Sequence, residues 1–381
     1  EEEDMYLHPD PSTFEIFPWR PQQGKVARLL CDVYKCDGTP FESDSRQILK
    51  RTIKRAQEKG YTMEVGSECE FFLFHMDEEG NPTTVTHECA GYFDIDPMDF
   101  GENTRRDIVL TLEEMGFVIE SSHHEVAPAQ HEIVFRHSEA LSAADDILTF
   151  KMVVRTIAKK HGLHATFMPK PIAGVSGSGM HLTMSLEKDG KNVFYNENDS
   201  SKLSDTAHKF TAGLLKYTPD MACFTNPTVN SYKRFIPGYE APCYISWSES
   251  NRSLLVRVPS SKKPGDARIE LRSPDPTANP YLALAACLKA GLKGIKDNET
   301  LPPSIDVNIY NLSDKEREAL GVKSLPISLN EAIKIARKSE FISELLGDKF
   351  ASSYFEAKEE EYGEYRRTIN QWEIEKYLIA Y

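Results

Sequence analysis

The chain has 381 residues, enough for one large domain or two ordinary ones, and its 40% hydrophobic and 27% charged composition is typical of a soluble globular protein. Its 59 acidic and 45 basic residues give a net charge of -14, which argues against a nucleic-acid or anionic-membrane partner. No apolar stretch reaches bilayer length, and the acidic start Glu1-Glu2-Glu3-Asp4 is unlike a signal peptide, so we expect a cytoplasmic protein.

In the first half of the chain, short extended runs are followed by alternating helices and strands. The opening forty residues, broken by prolines, read as the end of a domain rather than a whole one. Apolar spacing, caps and terminal glycines then predict five elements: a helix from Ser43 or Asp44 to Gly60, a strand over residues 61–76, a helix over 104–116, a strand over 132–136 and a helix over 141–160.

The second half is richer in helix. Its predicted elements are a glycine-rich loop and strand over 174–186, a helix over 204–217, an irregular region over 219–242, strands over 253–258 and 268–272, and helices over 279–295, 328–346 and 352–381. Ser328 and Glu331 fit a capping box. Because strands and helices interleave with few plain βαβ units, we expect an α+β fold with an antiparallel sheet backed by helices.

One acidic segment, residues 120–132, packs three carboxylates and three imidazoles together without a Lys or Arg. Alone, such a run is usually a solvated loop. Glu125 and Glu132 have odd spacing, which would put them on opposite faces of an unbroken strand. Pro128 makes an unbroken strand unfavourable, so a loop or bulge can bring both carboxylates to one site.

Three predicted strands place polar residues two apart, on one face: Glu68 with Glu70, His181 with Thr183 and Ser185, and Arg268 with Glu270 and Arg272. A solvated sheet face is the plain alternative. However, two carboxylates about 6.6 Å apart repel by roughly 2.5 kcal/mol at an effective dielectric near 20. If these strands converge with the acidic segment, the cluster needs divalent cations, and its donors suit Mg²⁺ or Mn²⁺.

Other candidates surround these strands. The loop from Gly174 to Gly179 lacks the ending of a phosphate-binding loop, and either a close approach to a ligand or a tight turn explains its glycines. Residues 232–241 read as a mobile loop with Glu240 as a gate. Five arginines suited to phosphate or carboxylate groups fall nearby: Arg234, Arg252, Arg257, Arg268 and Arg272. Five histidines are interpreted as structural: His123, His124, His131, His161 and His164.

Several long motifs follow one another along the chain: Lys170-Pro171, Gly177-Ser178-Gly179 leading to His181 and Ser185, Asn-Pro-Thr-Val-Asn-Ser-Tyr-Lys-Arg over 226–234, Pro-Gly-Tyr-Glu-Ala-Pro over 237–242, Asn-Arg-Ser over 251–253 and Pro-Asp-Pro-Thr-Ala-Asn-Pro-Tyr over 274–281. Together and in this order, they resemble glutamine synthetase of the bacterial and archaeal type over essentially the whole chain. The resemblance implies a funnel-like half-barrel site in a catalytic domain over 41–381, with part of a small β-grasp domain over 1–40.

Carried over residue by residue, the resemblance implies two or three Mg²⁺ or Mn²⁺ ions. One site would use Glu70, Glu125 and Glu132, and a second Glu68, His181 and Glu270. ATP would contact Glu120, Ser185, Arg257 and Arg268. The residues that would bind glutamate are Glu70, Ser176, Gly177, His181, Arg234, Glu240 and Arg272. Arg252, Arg234 and Glu240 would act in catalysis, Arg252 on the transferring phosphate and Glu240 as gate and proton acceptor.

The implied reaction is ATP-dependent ligation of ammonia to the glutamate side chain through γ-glutamyl phosphate. The resemblance also implies a cytoplasmic dodecamer of two stacked hexameric rings, with sites between subunits and a C-terminal helix that ties the rings. Tyr310 stands where some members are adenylylated; the short surrounding region is more similar to the feedback-inhibited class, so we interpret Tyr310 as structural.

Two departures from the family pattern matter. Ser176 stands where Asn is usual, which predicts weaker glutamate binding. The chain begins within the β-grasp domain, whose first half carries an Asp loop for the neighbouring site, and we expect the whole protein to have that part. The alternatives are a ligase that joins glutamate to a polyamine or other amine, and a non-catalytic structural or regulatory homologue.

Overall fold

The structure is a computed structural model that describes residues 4–20, 24–249, 251, 253–261 and 263–381. Arg252, one of the predicted catalytic residues, lies outside the described residues. Within them, no helix has the length and apolar character needed to cross a membrane.

The described strands, numbered along the chain, are β1 (Met5–Pro9), β2 (Glu15–Ile16), β3 (Ala27–Arg28), β4 (Cys31–Lys35), β5 (Thr62–His75), β6 (Ile119–His124), β7 (Gln130–Phe135), β8 (Ser138–Glu139), β9 (Leu163–Thr166), β10 (Met180–Lys188), β11 (Lys191–Asn192), β12 (Tyr244–Ile245), β13 (Trp247–Ser248), β14 (Val256–Arg257), β15 (Ile269–Leu271) and β16 (Lys323–Ser324).

The described α-helices are α1 (Ser45–Gln57), α2 (Glu102–Glu114), α3 (Ala140–Lys160), α4 (Asp205–Thr225), α5 (Pro280–Lys296), α6 (Asp314–Ala319), α7 (Leu329–Ala336), α8 (Glu340–Leu346), α9 (Asp348–Arg367) and α10 (Gln371–Tyr377). Short 3-10 helices cover Pro11–Thr13, Asn230–Lys233, Pro264–Asp266 and Ile309–Asn311.

A ten-stranded sheet organises the molecule, with the path β13-β14-β15-β10-β5-β7-β6. β8 and β9 also pair with β5, and β11 pairs with β10. Within this sheet β13 and β14 pair in parallel, whereas β5 is antiparallel to β7, β8, β9 and β10. The 14-residue β5 carries Glu68 and Glu70, and it pairs with the strands that carry Glu132, His181 and Ser185.

Helices α3, α4 and α5 supply much of the main hydrophobic core together with β5 and β10. Helices α4 and α5 meet backbone to backbone. A Cβ added to Gly213 would lie 2.2 Å from the Ala290 oxygen, and one added to Gly294 would lie 2.2 Å from the Lys209 oxygen. Only glycine fits at these crossings, which lets α5 lie close behind the sheet.

The sequence expectation of an α+β fold with an antiparallel sheet backed by helices is confirmed. Helix α1 begins after Asp44, whose side chain accepts from the Arg46 amide, so Asp44 and not Ser43 is the cap. Asn279 caps α5 through the Tyr281 and Leu282 amides. In the first forty residues β1 pairs with β4 and β2 with β3, as two small antiparallel sheets.

Several predicted boundaries are wrong. Helix α4 runs past residue 217 to Thr225 and contains Pro219, because its buried face packs along α5 and outweighs one lost backbone donor. The predicted helix over 328–346 is two helices, since Ser339 caps a new one, and the C-terminal helix breaks between Arg367 and Gln371. The strand predicted over 253–258 begins later, at Val256, whereas the loop and strand predicted over 174–186 are present, with the strand beginning at Met180.

The predicted capping box at Ser328 is half formed. The Ser328 side chain accepts from the Glu331 amide, as expected. The Glu331 carboxylate instead accepts from the Ile327 amide at 2.9 Å, one residue before the cap. The helix start is therefore correct, and the reciprocal bond is displaced.

Candidate active site

Three adjoining cavities lie along β5 and β10. The first, about 240 Å³, is lined by Glu120, Ser185 and Arg268, and it shares Glu68 with the second. The second, about 250 Å³, contains the carboxylates of the acidic segment. The third, about 30 Å³, shares Glu70 and His181 with the second. The described candidate residues other than the fully buried Glu270 thus line one group of adjoining cavities rather than scattered surface positions.

Strand pairing brings Glu68, His181 and Glu270 together. His181 lies directly opposite Glu68 on the neighbouring strand, with Nδ1 3.3 Å from a Glu68 oxygen. The same Nδ1 lies 3.8 Å from a Glu270 oxygen. Glu270 is fully buried between two arginines, with Arg257 2.8 Å away and Arg272 in a short hydrogen bond. The predicted second metal set is therefore assembled in space.

The first predicted metal set gathers around the β6–β7 hairpin. Glu132 lies opposite Glu70 on β5, and His123 lies opposite Glu132 on β6. The loop between β6 and β7 turns Glu125 back toward the same group, where His123 Nε2 is 2.9 Å from Glu125 and 3.5 Å from Glu132. The loop through Pro128 predicted from the odd spacing is present, since β6 ends at His124 and β7 begins at Gln130.

These carboxylates repel one another at close range. Burial, followed by the charge of Glu125, raises the pKa of Glu70 to about 8. Burial and the neighbouring carboxylates raise the pKa of Glu132 well above its usual value, with Glu70 the largest of those neighbours. Burial and the Arg272 charge hold the pKa of His181 well below its usual value, so its imidazole is neutral. A neutral imidazole among crowded carboxylates is a donor set that fits a divalent cation.

Two arginines line the small cavity. Arg234 is 3% exposed and donates to the backbone oxygens of Arg272 and Ser273 at 3.0 and 2.8 Å, so the fold fixes its orientation. Arg272 has a buried Nε with no partner among the described residues. An unpaired buried donor is unfavourable unless a ligand binds it, and an anion fits best.

The glycine loop before β10 forms another wall of the small cavity. A Cβ at Gly177 would lie 2.2 Å from the Pro169 oxygen, and one at Gly179 would lie 2.6 Å from His181 Nε2. Close packing inside the protein therefore requires glycine at both positions, and Gly177 also lines the small cavity. Ser176 lines the same cavity.

The loop that carries Glu240 contributes a further part of the lining of the small cavity. Glu240 is exposed and lies in an exposed loop with a left-handed φ of 58°, and it lines both the small cavity and the carboxylate cavity. Just after it, the Ala241 oxygen accepts from the Tyr310 hydroxyl at 2.6 Å. The position of Glu240 fits a gate between solvent and the site, and the Tyr310 contact agrees with its structural interpretation.

The four residues that the resemblance assigns to ATP do not all line the same cavity. Glu120, Ser185 and Arg268 line one cavity, whereas Arg257 lines the carboxylate cavity and pairs with Glu270. Arg257 therefore lies at the carboxylate cluster, while the other three residues line the neighbouring cavity. It lies directly opposite Glu270 on the neighbouring strand, a register that side-chain spacing alone does not give.

Sequence reasoning missed two residues at the carboxylates. His123, interpreted as structural, contacts Glu125 and Glu132. Gln130 donates to Glu70 at 2.8 Å and to the Gly177 oxygen at 3.2 Å, which links the metal side to the glycine loop. Gln130 was detectable, because it is two residues before Glu132 and shares its strand face. The position of His123 beside Glu132 could be known only from the pairing of β6 with β7.

Comparison with known proteins agrees with this site. The family model of the glutamine synthetase catalytic domain matches residues 42–377, and that of the glutamine synthetase β-grasp domain matches residues 1–36. A glutamine synthetase of Clostridium saccharobutylicum is 56% identical over 381 residues, which is all of this chain and 86% of that protein. One of Staphylococcus aureus strain MW2 is 54% identical over 382 residues, covering 100% and 85%.

Solved structures are similar over almost the whole chain. The first conformation of a GmaS/ADP complex has a TM-score of 0.88 and 32% identity, over 98% of this chain and 85% of that one. Apo GmaS without ligand gives 0.86 at the same identity and coverage. The matches over all or nearly all of this chain, in sequence and in structure, together with the site geometry, show that it belongs to the glutamine synthetase family.

Proposed function

We propose that this chain is a glutamate–ammonia ligase, which uses ATP to join ammonia to the side-chain carboxylate of glutamate and releases glutamine, ADP and phosphate. The observation that carries this function is the line of three cavities, with Glu120, Ser185 and Arg268 at one end, carboxylates in the middle and Arg234 with Arg272 at the other. The glutamine synthetase relatives at 56% and 54% identity support it.

The glutamate end is supported by charge. Arg234 and Arg272 are buried and would bind the carboxylates of glutamate, with the unpaired Arg272 Nε as one donor. The Gly177 backbone forms the wall against which the amino acid lies. Ser176, shorter than the usual Asn, is proposed to weaken this binding.

The nucleotide is proposed to lie in the cavity of Glu120, Ser185 and Arg268, with Arg257 toward its phosphates. The similarity to GmaS in its complex with ADP supports nucleotide binding here. A glutamate side-chain oxygen attacks the terminal phosphorus, and ADP leaves. Arg252, outside the described residues, is proposed to stabilise the charge on the transferring group.

Divalent cations are proposed for the middle cavity, held by Glu70, Glu125 and Glu132 and by Glu68, His181 and Glu270. The raised pKa values of Glu70 and Glu132 support this, because the folded chain crowds more negative charge there than its own side chains offset. Two or three Mg²⁺ or Mn²⁺ ions fit the oxygen-rich donors. When bound, they would neutralise charge on the transferring phosphoryl group.

In the second step ammonia attacks the acyl carbon, and phosphate leaves with the electrons of its C–O bond. Glu240, which faces the cavity from its loop, is proposed to accept the proton that the new C–N bond makes acidic. The loop around Glu240 is proposed to exclude water from the acyl phosphate.

The activity is tested with purified protein, ATP, Mg²⁺, glutamate and ammonia, by measuring glutamine and phosphate together. We expect one glutamine for each phosphate, and no glutamine without ammonia. Putrescine and methylamine serve as competing acceptors. A higher kcat/KM for either amine would overturn the ammonia assignment, and binding of ATP and glutamate without turnover would favour a non-catalytic homologue.

The dodecamer of two hexameric rings and the cytoplasmic location stay predictions from the family resemblance. Apolar side chains left exposed near the C-terminus, including Ile369, Trp372 and Leu378, support an intersubunit role for α10. Native mass spectrometry of the full-length protein measures the assembly, and a stable monomer would contradict the proposal.

A further inference from the structure

Lys170 occupies an unusual position between the glycine loop and the Glu240 loop. Its side chain is buried at 7% exposure, and its Nζ donates to the Val175 oxygen in a short hydrogen bond. The same Nζ lies 4.0 Å from the ring centroid of Tyr239, next to Glu240. Within the described ranges, the contacts of this ammonium group are the Val175 oxygen and the Tyr239 ring, and neither is a carboxylate. Its stabilising contacts are therefore a carbonyl and an aromatic face, one from each loop.

The backbone of Lys170 is fixed independently of these contacts. Its amide donates to Asn230 Oδ1 at 2.7 Å, and its oxygen accepts from Asn230 Nδ2 at 3.0 Å. The Pro169 oxygen accepts from the Ser178 amide at 2.8 Å. The base of the side chain is thus anchored to the segment that leads to Arg234, while its tip reaches the two loops.

The stem of Lys170 also packs on the glutamate wall. A Cβ added at Gly177 would lie 3.2 Å from Lys170 Cδ, so the side chain lies directly behind the backbone that lines the small cavity. Displacement of the Lys170 side chain would therefore move the glycine loop as well as release Tyr239.

We propose that Lys170 is a positioning residue that couples the two loops: its ammonium group holds the glycine loop in its ligand-binding conformation when Tyr239 covers it and the Glu240 loop is closed. The inference rests on the proposed function for its kinetic consequences, although the coupling itself is a property of the fold. The Glu240 loop then closes at the same time as the glycine loop takes up its glutamate-binding conformation. This coupling keeps water out of the site once glutamate is bound.

The experiment uses four variants of the full-length protein: Lys170→Met, Tyr239→Leu, the double variant, and Tyr239→Phe, which keeps the aromatic face. Lys188→Met is the matched control, because Lys188 lies 5.7 Å from the Tyr61 ring, at the other end of β10. The readouts are glutamate KM, ATP KM, and the phosphate released per glutamine formed. Thermal unfolding checks that each variant is folded.

We expect Lys170→Met and Tyr239→Leu each to raise glutamate KM by roughly three- to thirtyfold, the range for loss of a cation–π contact, and to release more than one phosphate per glutamine. Tyr239→Phe and Lys188→Met should match the parent. The double variant should be no worse than the more impaired single variant. Multiplicative effects in the double variant, or a Tyr239→Phe variant as impaired as Tyr239→Leu, would overturn the coupling.

Hydrogen exchange separates this inference from the proposed function. Lys170→Met should speed exchange over residues 235–242, and Tyr239→Leu should speed it over 174–179, whether or not the chain forms glutamine. If each substitution alters only its own loop, Lys170 does not couple them. If the parent makes no glutamine but the exchange effects cross between loops, the coupling stands and the enzyme assignment fails.

Discussion

The walls of the site and its gate are built in opposite ways. On the walls, Glu70, Glu132 and Glu270 are 7%, 6% and 0% exposed, and strand register fixes their positions. At the gate, Glu240 is exposed, with a left-handed backbone, in a loop whose described anchors include Lys170 and Tyr310. The walls therefore hold closely spaced, buried carboxylates at positions that the sheet fixes. The position of Glu240, in contrast, depends on a small number of contacts made by its loop.

Removing one wall charge should have the largest effect. In Glu270→Gln, Arg257 and Arg272 lose their buried partner, which we expect to lower the free energy of unfolding by about 3–5 kcal/mol and to abolish glutamine formation. Denaturant unfolding measures the loss. The control Glu299→Gln breaks the surface pair with Lys216 and should cost less than ~1 kcal/mol. Equal losses would contradict the contrast between buried wall and surface.

The pH dependence of the free energy of unfolding, measured on metal-free protein, tests whether the crowded carboxylates destabilise the fold when they ionise. The pKa of Glu70 is raised to about 8, so the folded chain retains a proton that the unfolded chain releases near the usual value of 4.5. The free energy of unfolding should therefore fall as pH rises from about 4.5 to about 8, with the full penalty above that range.

Saturating Mg²⁺ should remove most of this slope, and its binding should release protons below about pH 8, as calorimetry in buffers of different ionisation enthalpy measures. Glu70→Gln should reduce the metal-free slope, and the contribution of Glu132 should remain. A slope that is the same with and without Mg²⁺, or that rises with pH, would show that the wall carboxylates do not carry this charge.

Substitution of Glu240 should lower the reaction rate without lowering the stability of the fold. Glu240→Gln is expected to lower kcat about a hundredfold, the low end for loss of a general base, with ATP KM and the unfolding temperature unchanged because Glu240 is exposed. Steady-state kinetics with glutamine detection measures this. Glu318→Gln on exposed α6 is the charge-matched control. A change in kcat below about threefold would remove Glu240 from proton transfer.

The same contrast explains what the sequence could predict. The two-residue spacing of Glu68 and Glu70 gives their shared face, because the period of a strand is fixed. His123 could not be assigned, since its place beside Glu132 depends on the pairing of β6 and β7 and on an irregularity between Ile119 and Ser121. Helix α4 continues through Pro219 because of its packing on α5, which no local pattern records.

Loss of the hydrogen bond between Tyr310 and the Glu240 loop should give the smallest effect. Tyr310→Phe removes the hydroxyl that donates to the Ala241 oxygen at 2.6 Å, which should cost about 1 kcal/mol of unfolding free energy and raise phosphate release per glutamine. Tyr354→Phe is the matched control: its hydroxyl donates to the Cys223 oxygen at 2.7 Å in the helical core, so it should cost the same stability but leave kinetics unchanged. If both variants lose stability and neither leaks phosphate, the Tyr310 contact supports the fold alone, and the gate is held at its Lys170 end.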